Sequence, residues 1–296
     1  MNPIKLVYIT GRGHSGSTLL ALLISGHSQV ISAGEVKMLN NPDPRHRLCS
    51  CHRLAPEQCP FWSQVEEQVQ AQLGLPLRGL ALMDQGDLAT FARHNSVLFA
   101  AIAAVSGCAV IVDSSKSLPR LSRLLAAVDA EAISAVQVWP IHLHRGPLGL
   151  MNSVRKLGYS LRDSSDNYGR LFFRTRDCLA SVPSLEVLYE RLARHPRREV
   201  VRVMAWLGLP FEQQQLRWRL GVRRDVHGNA MRFGGSERIE PDDSWRWQLT
   251  LAQQCAVAVW TLPVRLRSPC LFRWMRWLMK PSGFAKASRT SDNLVP

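Results

Sequence analysis

The sequence predicts a three-layer α/β fold, with a central parallel sheet flanked by helices. Short apolar runs alternate along the chain with apolar residues at helical spacing, a pattern typical of a parallel sheet that is covered on both faces. Each apolar run ends in polar, basic or glycine residues. Ligands of such sheets bind at the carboxyl ends of the strands, so the pattern also indicates where a binding site lies.

Four strands are predicted, each followed by a helix. The first is Ile4–Thr10, which is rich in β-branched and aromatic residues and precedes a glycine-rich loop and a helical pattern from Leu19 onwards. The other three strands are predicted at Ala109–Val112, Val136–Leu143 and Leu185–Tyr189. Residues 36–60 and 221–244 are predicted to be loops.

The domain organisation follows from length and composition. The chain has 296 residues, of which 46% are hydrophobic, and this is enough for one large domain with a sizeable core. Residues 1–262 are predicted to form that domain and residues 263–296 a basic, aromatic tail. The apolar stretch 96–113 is interrupted by Ser106-Gly107, so we interpret it as a helix end followed by a strand and not as a membrane span.

The chain is strongly basic, with a formal net charge of +14, and 31 of its 37 basic residues are arginine. Such an excess fits an anionic ligand, nucleic acid or a membrane surface, although genome composition is an equally good explanation. In the tail, Trp274 and Trp277 alternate with arginines, as in helices that lie peripherally on membranes, but a helix packed on the domain is favoured. The absence of a recognisable secretory leader and the seven cysteines predict a cytoplasmic location.

The loop after the first strand, GRGHSGST, is close to a phosphate-binding loop. Gly11, Gly16 and Thr18 fit the pattern G-x-x-x-x-G-K-[ST], but Ser17 replaces the lysine. Backbone N–H groups in such a loop, together with the N-terminus of the following helix, favour a bound anion. Without the lysine and without evident magnesium ligands, the loop is poorly suited to a nucleoside triphosphate.

A second phosphate-binding element is predicted at the end of the third strand. Arg145 follows that strand, and Ser153 comes eight residues later in the next helix. The two side chains could approach one phosphate from different sides, because a guanidinium group pairs with phosphate oxygens bidentately and a hydroxyl adds a further donor.

These two elements, in this order, resemble the sulfotransferases that use 3′-phosphoadenosine-5′-phosphosulfate (PAPS). Further segments are similar to the same family and in particular to its bacterial branch, which is related to tyrosylprotein and carbohydrate sulfotransferases. They are HSQVISAGE, CSC…CPFW, VDSSK, YERLARHPRREVVRVMAWLGLPF and SERIEPDDSWRWQL. The resemblance extends over about residues 5–250 and implies a P-loop-like α/β fold.

The resemblance implies the roles of the cofactor-binding residues. The first loop would hold the 5′-phosphosulfate through Arg12, Gly13, His14, Ser15, Gly16, Ser17 and Thr18. Arg145 and Ser153 would hold the 3′-phosphate, with Tyr189 in contact with the cofactor nearby. Gly146 stands where many members of the family resembled have an aspartate after the strand-end arginine.

Three residues are predicted to be catalytic. Glu35 would be the general base that takes the proton of the acceptor, since its Gly-Glu context matches the catalytic glutamate of the tyrosylprotein branch. Lys116 would be a cation beside the transferred sulfuryl group, and His14 a donor to the bridging oxygen, with Arg12 supplying fixed charge. Ser236 and Arg246 are weaker candidates. No metal is expected to be required, because a sulfuryl group carries less charge than a phosphoryl group.

The predicted activity is transfer of a sulfuryl group from PAPS to a hydroxyl acceptor, which could be a carbohydrate, a lipid, a phenol or a small metabolite. The loops 36–100 and 158–182 are predicted to form the acceptor pocket. Two alternatives are a divergent P-loop kinase or nucleotide hydrolase, and a basic nucleic-acid-binding protein. No nucleic-acid partner is expected, because an aromatic stacking platform is not evident.

Three cysteines and a histidine lie close together in the sequence, as Cys49-x-Cys51-His52 followed by Cys59. Three thiolates and an imidazole can complete a tetrahedral zinc site, but the spacing is not that of a standard zinc knuckle. Reduced structural cysteines are favoured over zinc and over a disulfide, so no metal ligand is predicted.

Overall fold

The computed structural model describes residues 3–51, 53–83, 85–133, 135–221, 223–234 and 238–268. Five strands form one sheet within this part of the chain. They are β1 Ile4–Gly11, β2 Val30–Gly34, β3 Val110–Lys116, β4 Val136–His144 and β5 Leu185–Leu188. The predicted strands correspond to β1, β3, β4 and β5, whereas β2 was not predicted.

The sheet is parallel throughout, with the strand order β2-β3-β1-β4-β5. Strand β1 lies at its centre, so that Leu6 pairs with Ile111 on one side and with Val138 on the other. All carboxyl ends therefore meet at one edge, where the loops after β1, β2, β3 and β4 converge. The predicted fold class is confirmed.

Helices cover both faces of the sheet. In chain order they are α1 Ser17–Ile24, α2 Pro60–Leu73, α3 Leu88–Ser106, α4 Leu118–Asp129, α5 Pro147–Arg155, α6 Leu161–Cys178, α7 Tyr189–Arg194, α8 Pro196–Trp206, α9 Trp245–Gln248, α10 Leu251–Trp260 and α11 Leu262–Arg267. Short 3₁₀ turns occupy parts of the two regions that were predicted to be loops, including Val36–Met38 and Pro56–Gln58.

The core has one layer on each face of the sheet, and the alternation of β1 residues shows why. Leu6 and Tyr8 point into a cluster with residues of α2, α3 and α4, while Val7 and Ile9 point into a second cluster with α1 and α8. Successive side chains of a strand face opposite sides, so an apolar run such as residues 6–9 fits a sheet that is covered on both faces.

Helix α3 is the one described helix that is long and apolar enough to cross a membrane by length and composition alone. Its side chains at Phe91, Leu98 and Phe99 are fully buried in the core, and helices buried in this way pass the same test. The helix ends at Gly107, which has φ of 70° in the left-handed region that glycine favours, and β3 begins at Val110. The predicted break between helix and strand is therefore present.

A third apolar cluster joins the C-terminal helices to the rest of the chain. Val257 of α10 and Val264 of α11 pack with Tyr168 and Phe172 of α6, and Val264 is 1% exposed. The first residues of the predicted tail thus lie on the domain. The remainder, residues 269–296 with Trp274 and Trp277, lies outside the described residues.

Candidate active site

The carboxyl edge of the sheet contains a cavity of about 620 Å³. Most of the residues predicted from the sequence line it. They are Gly13, His14, Gly16, Ser17, Thr18, Glu35, Lys116, Arg145, Ser153 and Tyr189. Among these predicted residues, Gly13 and Tyr189 are 176 positions apart in the sequence.

The glycine-rich loop places the N-terminus of α1 at this cavity. Every residue of α1 is buried, and no side chain caps its first turn, so its free N–H groups remain available to an anion. Gly16 has φ of 90°, and a Cβ at this position would lie 2.5 Å from the ring of Tyr189. Only glycine therefore allows the loop to approach Tyr189 this closely.

Arg12 and Ser15 belong to the same loop but face away from the cavity. They line a smaller pocket on the other side of the loop, together with Tyr168. The guanidinium group of Arg12 donates to the carbonyl oxygen of Ser164 in α6. Burial lowers the pKa of Arg12, and the neighbouring Tyr168 opposes this shift. The positive charge of Arg12 is therefore directed at α6 and not at the cavity.

Arg145 and Ser153 meet, as their spacing predicts. Arg145 Nη1 lies 3.0 Å from Ser153 Oγ and donates to the carbonyl oxygen of His14 at 2.8 Å. Its guanidinium carbon lies 4.6 Å from the centre of the Tyr189 ring. Gly149 leaves room for the guanidinium group, since a Cβ there would lie 3.2 Å from Arg145 Nε. One arginine thus joins the end of β4, helix α5 and the glycine-rich loop.

Arg145 also has a carboxylate partner that the sequence analysis did not identify. Asp242 Oδ2 lies 2.9 Å from Arg145 Nη2, and the N–H group of Asp242 donates to the Tyr189 hydroxyl at 3.4 Å. Burial raises the pKa of Asp242, but hydrogen bonds from Ser244 and Arg145 outweigh it and the pKa is lowered. An ionised carboxylate therefore occupies one side of the guanidinium group.

The turn after Arg145 is held by Glu190 of α7. The N–H group of Gly146 donates to Glu190 Oε1 at 2.8 Å. Burial raises the pKa of Glu190 to about 7. A buried carboxylate from another element thus fixes the turn in which Gly146 stands, where many members of the family resembled have an aspartate.

Glu35 enters the cavity from the end of β2. Gly34 has φ of 73°, and a Cβ there would lie 2.5 Å from Val226 N, so this position requires glycine. The N–H group of Glu35 then donates to the carbonyl oxygen of Val226 at 2.7 Å. The Glu35 side chain accepts a hydrogen bond from Lys116 Nζ, and Lys37 Nζ lies 3.7 Å from its other oxygen. The predicted base and the predicted cation are therefore direct neighbours.

The sequence VDSSK explains the position of Lys116. Asp113 is fully buried, pairs with Arg120 at 3.0 Å, and accepts the N–H group of Ser115 at 2.9 Å. This pairing turns the chain at the end of β3, where Lys116 has φ of 60°. Burial lowers the pKa of Lys116, and the charge of Glu35 opposes the shift.

His14 has an unusual backbone conformation and a weakly basic side chain. It has φ of 69°, a left-handed conformation that is uncommon for residues other than glycine. Partial burial lowers its pKa, and the nearby charges of Arg145, Lys116 and Arg12 lower it further. At neutral pH the side chain is therefore an uncharged donor or acceptor within a positively charged surround.

Comparison with known proteins identifies the family. A family model described as "Sulfotransferase family" matches residues 7–213, which include the glycine-rich loop, Glu35, Lys116, Arg145 and Tyr189. This chain belongs to the sulfotransferase family. It is an enzyme of this class, and the family resemblance inferred from the sequence is confirmed.

One solved structure supports the fold of this sulfotransferase. The sulfotransferase domain of the Synechococcus PCC 7002 olefin synthase is 21% identical, has a TM-score of 0.55, and is matched over 90% of this chain and 97% of that one. Sulfotransferase STF9 from Mycobacterium avium is 14% identical, with a TM-score of 0.46 and coverage of 90% and 78%. No curated protein matches the sequence.

One wall of the sulfotransferase cavity was not found from the sequence. His227, Gly228 and Asn229 line it, and the N–H group of Asn229 donates to Thr18 Oγ1 at 3.2 Å. The ring of His227 is held by the carbonyl oxygen of His46, 2.9 Å from Nδ1. This segment lies in a region predicted only as loop, and no spacing or motif marks it in the sequence.

Of the two weaker candidates, Arg246 alone belongs to the described residues. Arg246 lies in α9 with its guanidinium carbon 4.8 Å from the Trp245 ring, and it is not among the residues that line the cavity. Ser236 lies outside the described residues.

Proposed function

We propose that this sulfotransferase takes the sulfuryl group from PAPS and transfers it to a hydroxyl group of a carbohydrate, lipid, phenol or small metabolite. One observation carries the proposal. A single cavity contains two separate sets of anion-binding groups, at the start of α1 and at Arg145, together with the Glu35–Lys116 pair. A donor with a phosphosulfate at one end and a phosphate at the other requires two such sets.

The residues fit this donor. The uncapped first turn of α1 and the hydroxyl groups of Ser17 and Thr18 suit the 5′-phosphosulfate. Arg145 and Ser153 suit the 3′-phosphate, and Arg145 Nε is buried without a hydrogen-bond partner among the described residues. Tyr189 lies between the two sets of groups, in contact with both Gly16 and Arg145.

Glu35 is the proposed general base. An acceptor hydroxyl oxygen attacks sulfur in line with the bridging oxygen, so an O–S bond forms as the bridging S–O bond breaks. The acceptor proton passes to Glu35, and adenosine 3′,5′-bisphosphate (PAP) leaves. Lys116 stabilises charge on the transferred group, which is an electrostatic role of the kind that dominates phosphoryl transfer.

The chain's own cations supply the charge that this reaction needs. Lys116 and Arg145 line the cavity, and His14 adds a donor beside them. Sulfuryl transfer to an alcohol involves no redox step, and we propose that it proceeds without a metal ion in the active site. We also propose a cytoplasmic enzyme, because none of the six described cysteines is joined to another by a disulfide.

A thermal-shift comparison tests the proposed donor. PAP alone should raise the melting temperature without added metal, whereas ATP with Mg²⁺ and a single-stranded oligonucleotide should leave it within error. A ligand stabilises the folded state only if it binds that state preferentially, so a rise in melting temperature reports binding. Stabilisation by ATP–Mg²⁺ but not by PAP would reject PAPS as the donor.

A further inference from the structure

We infer that Cys49, Cys51 and Cys59 form a structural zinc site that holds one wall of the active-site cavity in place. The three sulfur atoms lie within 4.8 Å of one another. Cysteine is the most frequent ligand of structural zinc sites, and cysteines stay reduced in a reducing compartment. A disulfide uses only two cysteines, whereas three converge here. The inference does not depend on PAPS being the donor.

The distances between the sulfur atoms agree with a shared ion. Cys59 Sγ lies 3.6 Å from Cys49 Sγ and 3.2 Å from Cys51 Sγ. Zinc–sulfur bonds of about 2.3 Å at tetrahedral angles place neighbouring sulfur atoms about 3.8 Å apart, which is close to the first distance. A disulfide requires about 2.05 Å, which is far shorter than either. Small movements of Cys51 would complete the three-thiolate arrangement.

The position of Cys59 suits a thiolate ligand. Cys59 immediately precedes α2, where the helix N-terminus favours a negative charge. The backbone N–H groups of Phe61 and Trp62, in the first turn of that helix, lie near its sulfur atom, and the N–H group of Cys51 lies near the sulfur of Cys49. Polar groups around a metal site help to orient its ligands.

The surroundings suit an anionic cluster. Three thiolates and a divalent ion carry a net charge of −1, and burial of that charge requires a nearby cation. Arg232 is 4% exposed and bonds to the backbone of Leu48, the residue before Cys49, while its charge also faces the buried carboxylate of Asp225. Its guanidinium group also donates to the carbonyl oxygen of Gly228, which ties the cysteine segment to the cavity wall.

The cluster is connected to the active site through the backbone. Cys49 forms an isolated antiparallel bridge with Val226, and Ser50 N donates to the carbonyl oxygen of Asp225 at 2.9 Å. Val226 is the residue whose carbonyl oxygen accepts the N–H group of Glu35, and His227 follows it. A metal that fixes the cysteine segment would therefore also fix the backbone behind Glu35 and the ring of His227.

Metal analysis tests the site directly. The untagged full chain, purified in the presence of a thiol reductant, should contain about one zinc ion per molecule by mass spectrometry of the metal. Replacement of zinc by Co²⁺ should give the intense thiolate-to-cobalt absorption band of a multi-thiolate site. Neither measurement depends on enzymatic activity.

Variants and chelation supply the controls. Cys59→Ser should lose the metal and the cobalt band, whereas Cys255→Ser, which changes an exposed cysteine in α10, should keep both. If Cys59→Ser does not fold, the wild-type chain is treated with a strong chelator. Its melting temperature should then fall and should recover when zinc is returned.

Two outcomes would overturn the inference. One is wild-type protein that contains no zinc, takes up no Co²⁺ and keeps its melting temperature in chelator. The other is a disulfide between two of these three cysteines in protein purified under reducing conditions.

Discussion

The two sides of the cavity are built in different ways. On one side, Arg145 comes from the end of a strand and Ser153 from the helix that follows it. The two residues are only eight positions apart in the sequence. On the opposite side, Glu35 and Lys116 are 81 residues apart, and the wall behind Glu35 comes from Val226. The Arg145–Ser153 pair thus comes from residues close in the chain, whereas the Glu35–Lys116 pair exists only after distant segments have packed.

Because of this difference, the residues expected to bind PAP and those expected to catalyse transfer depend on different sets of contacts. The Arg145–Ser153 pair is set by one strand–turn–helix unit, although His14 and Asp242 contact the same guanidinium group from distant parts of the chain. A site assembled from loops depends on every contact that holds those loops, and loops vary most between relatives that share a fold. We therefore expect substitutions on the two sides to have separable effects on PAP affinity and on turnover.

Glu35→Gln should give the largest effect. Turnover should fall by about 10²-fold or more, since the amide cannot take the acceptor proton. PAP affinity should change little, because the amide oxygen still accepts a hydrogen bond from Lys116. Steady-state kinetics and calorimetry of PAP binding measure the two quantities. Glu240→Gln is a matched control, because Glu240 lines the same cavity but is exposed and pairs with Arg238. A fully active Glu35→Gln enzyme would remove Glu35 as the base.

Arg145→Ala should affect mainly binding. The loss of its charged hydrogen bonds should weaken PAP affinity by roughly 10- to 100-fold. Titration calorimetry measures this, with Arg198→Ala as the control, since Arg198 is an exposed arginine of α8 away from the cavity. Unchanged affinity in Arg145→Ala would show that the 3′-phosphate is held elsewhere.

Asp242→Asn should strengthen binding. The Asp242 carboxylate neutralises part of the Arg145 charge and would repel a phosphate brought to the same guanidinium group. Removal of this charge should tighten PAP binding by up to about tenfold. Asp243→Asn provides the comparison, because Asp243 pairs with Arg194 instead. Weaker binding in Asp242→Asn would show that the carboxylate supports the site by positioning Arg145.

The smallest effect is expected from His14 and should appear as a pH dependence. Its pKa is lowered in the free protein, so it is neutral at pH 7, and a bound anion favours its protonation. PAP affinity should therefore rise by a few-fold relative to His14→Arg as the pH falls, because the arginine remains charged throughout. The phosphates of PAP titrate in the same way with either protein, so the ratio of the two PAP affinities at each pH cancels their contribution. Parallel profiles would show that His14 does not gain a proton on binding.

The sequence by itself determined the local parts of this protein. Strands β1, β3 and β4 follow from apolar runs, the glycine-rich loop from its pattern, and the Arg145–Ser153 pair from spacing within one turn and helix. Such features depend on residues that are neighbours in the chain, so propensity and periodicity reveal them. Strand β2 was not predicted because its sequence, VISAG, has only two large apolar residues, Val30 and Ile31, before the small residues Ser32, Ala33 and Gly34.

Only the tertiary structure decided which side chains share the cavity. It directed Arg12 to the carbonyl oxygen of Ser164, placed Asp242 on Arg145 and brought His227 to the wall beside Glu35. None of these contacts has a signature in the sequence, because each joins segments more than 90 residues apart whose approach is set by the packing of the whole sheet and its helices.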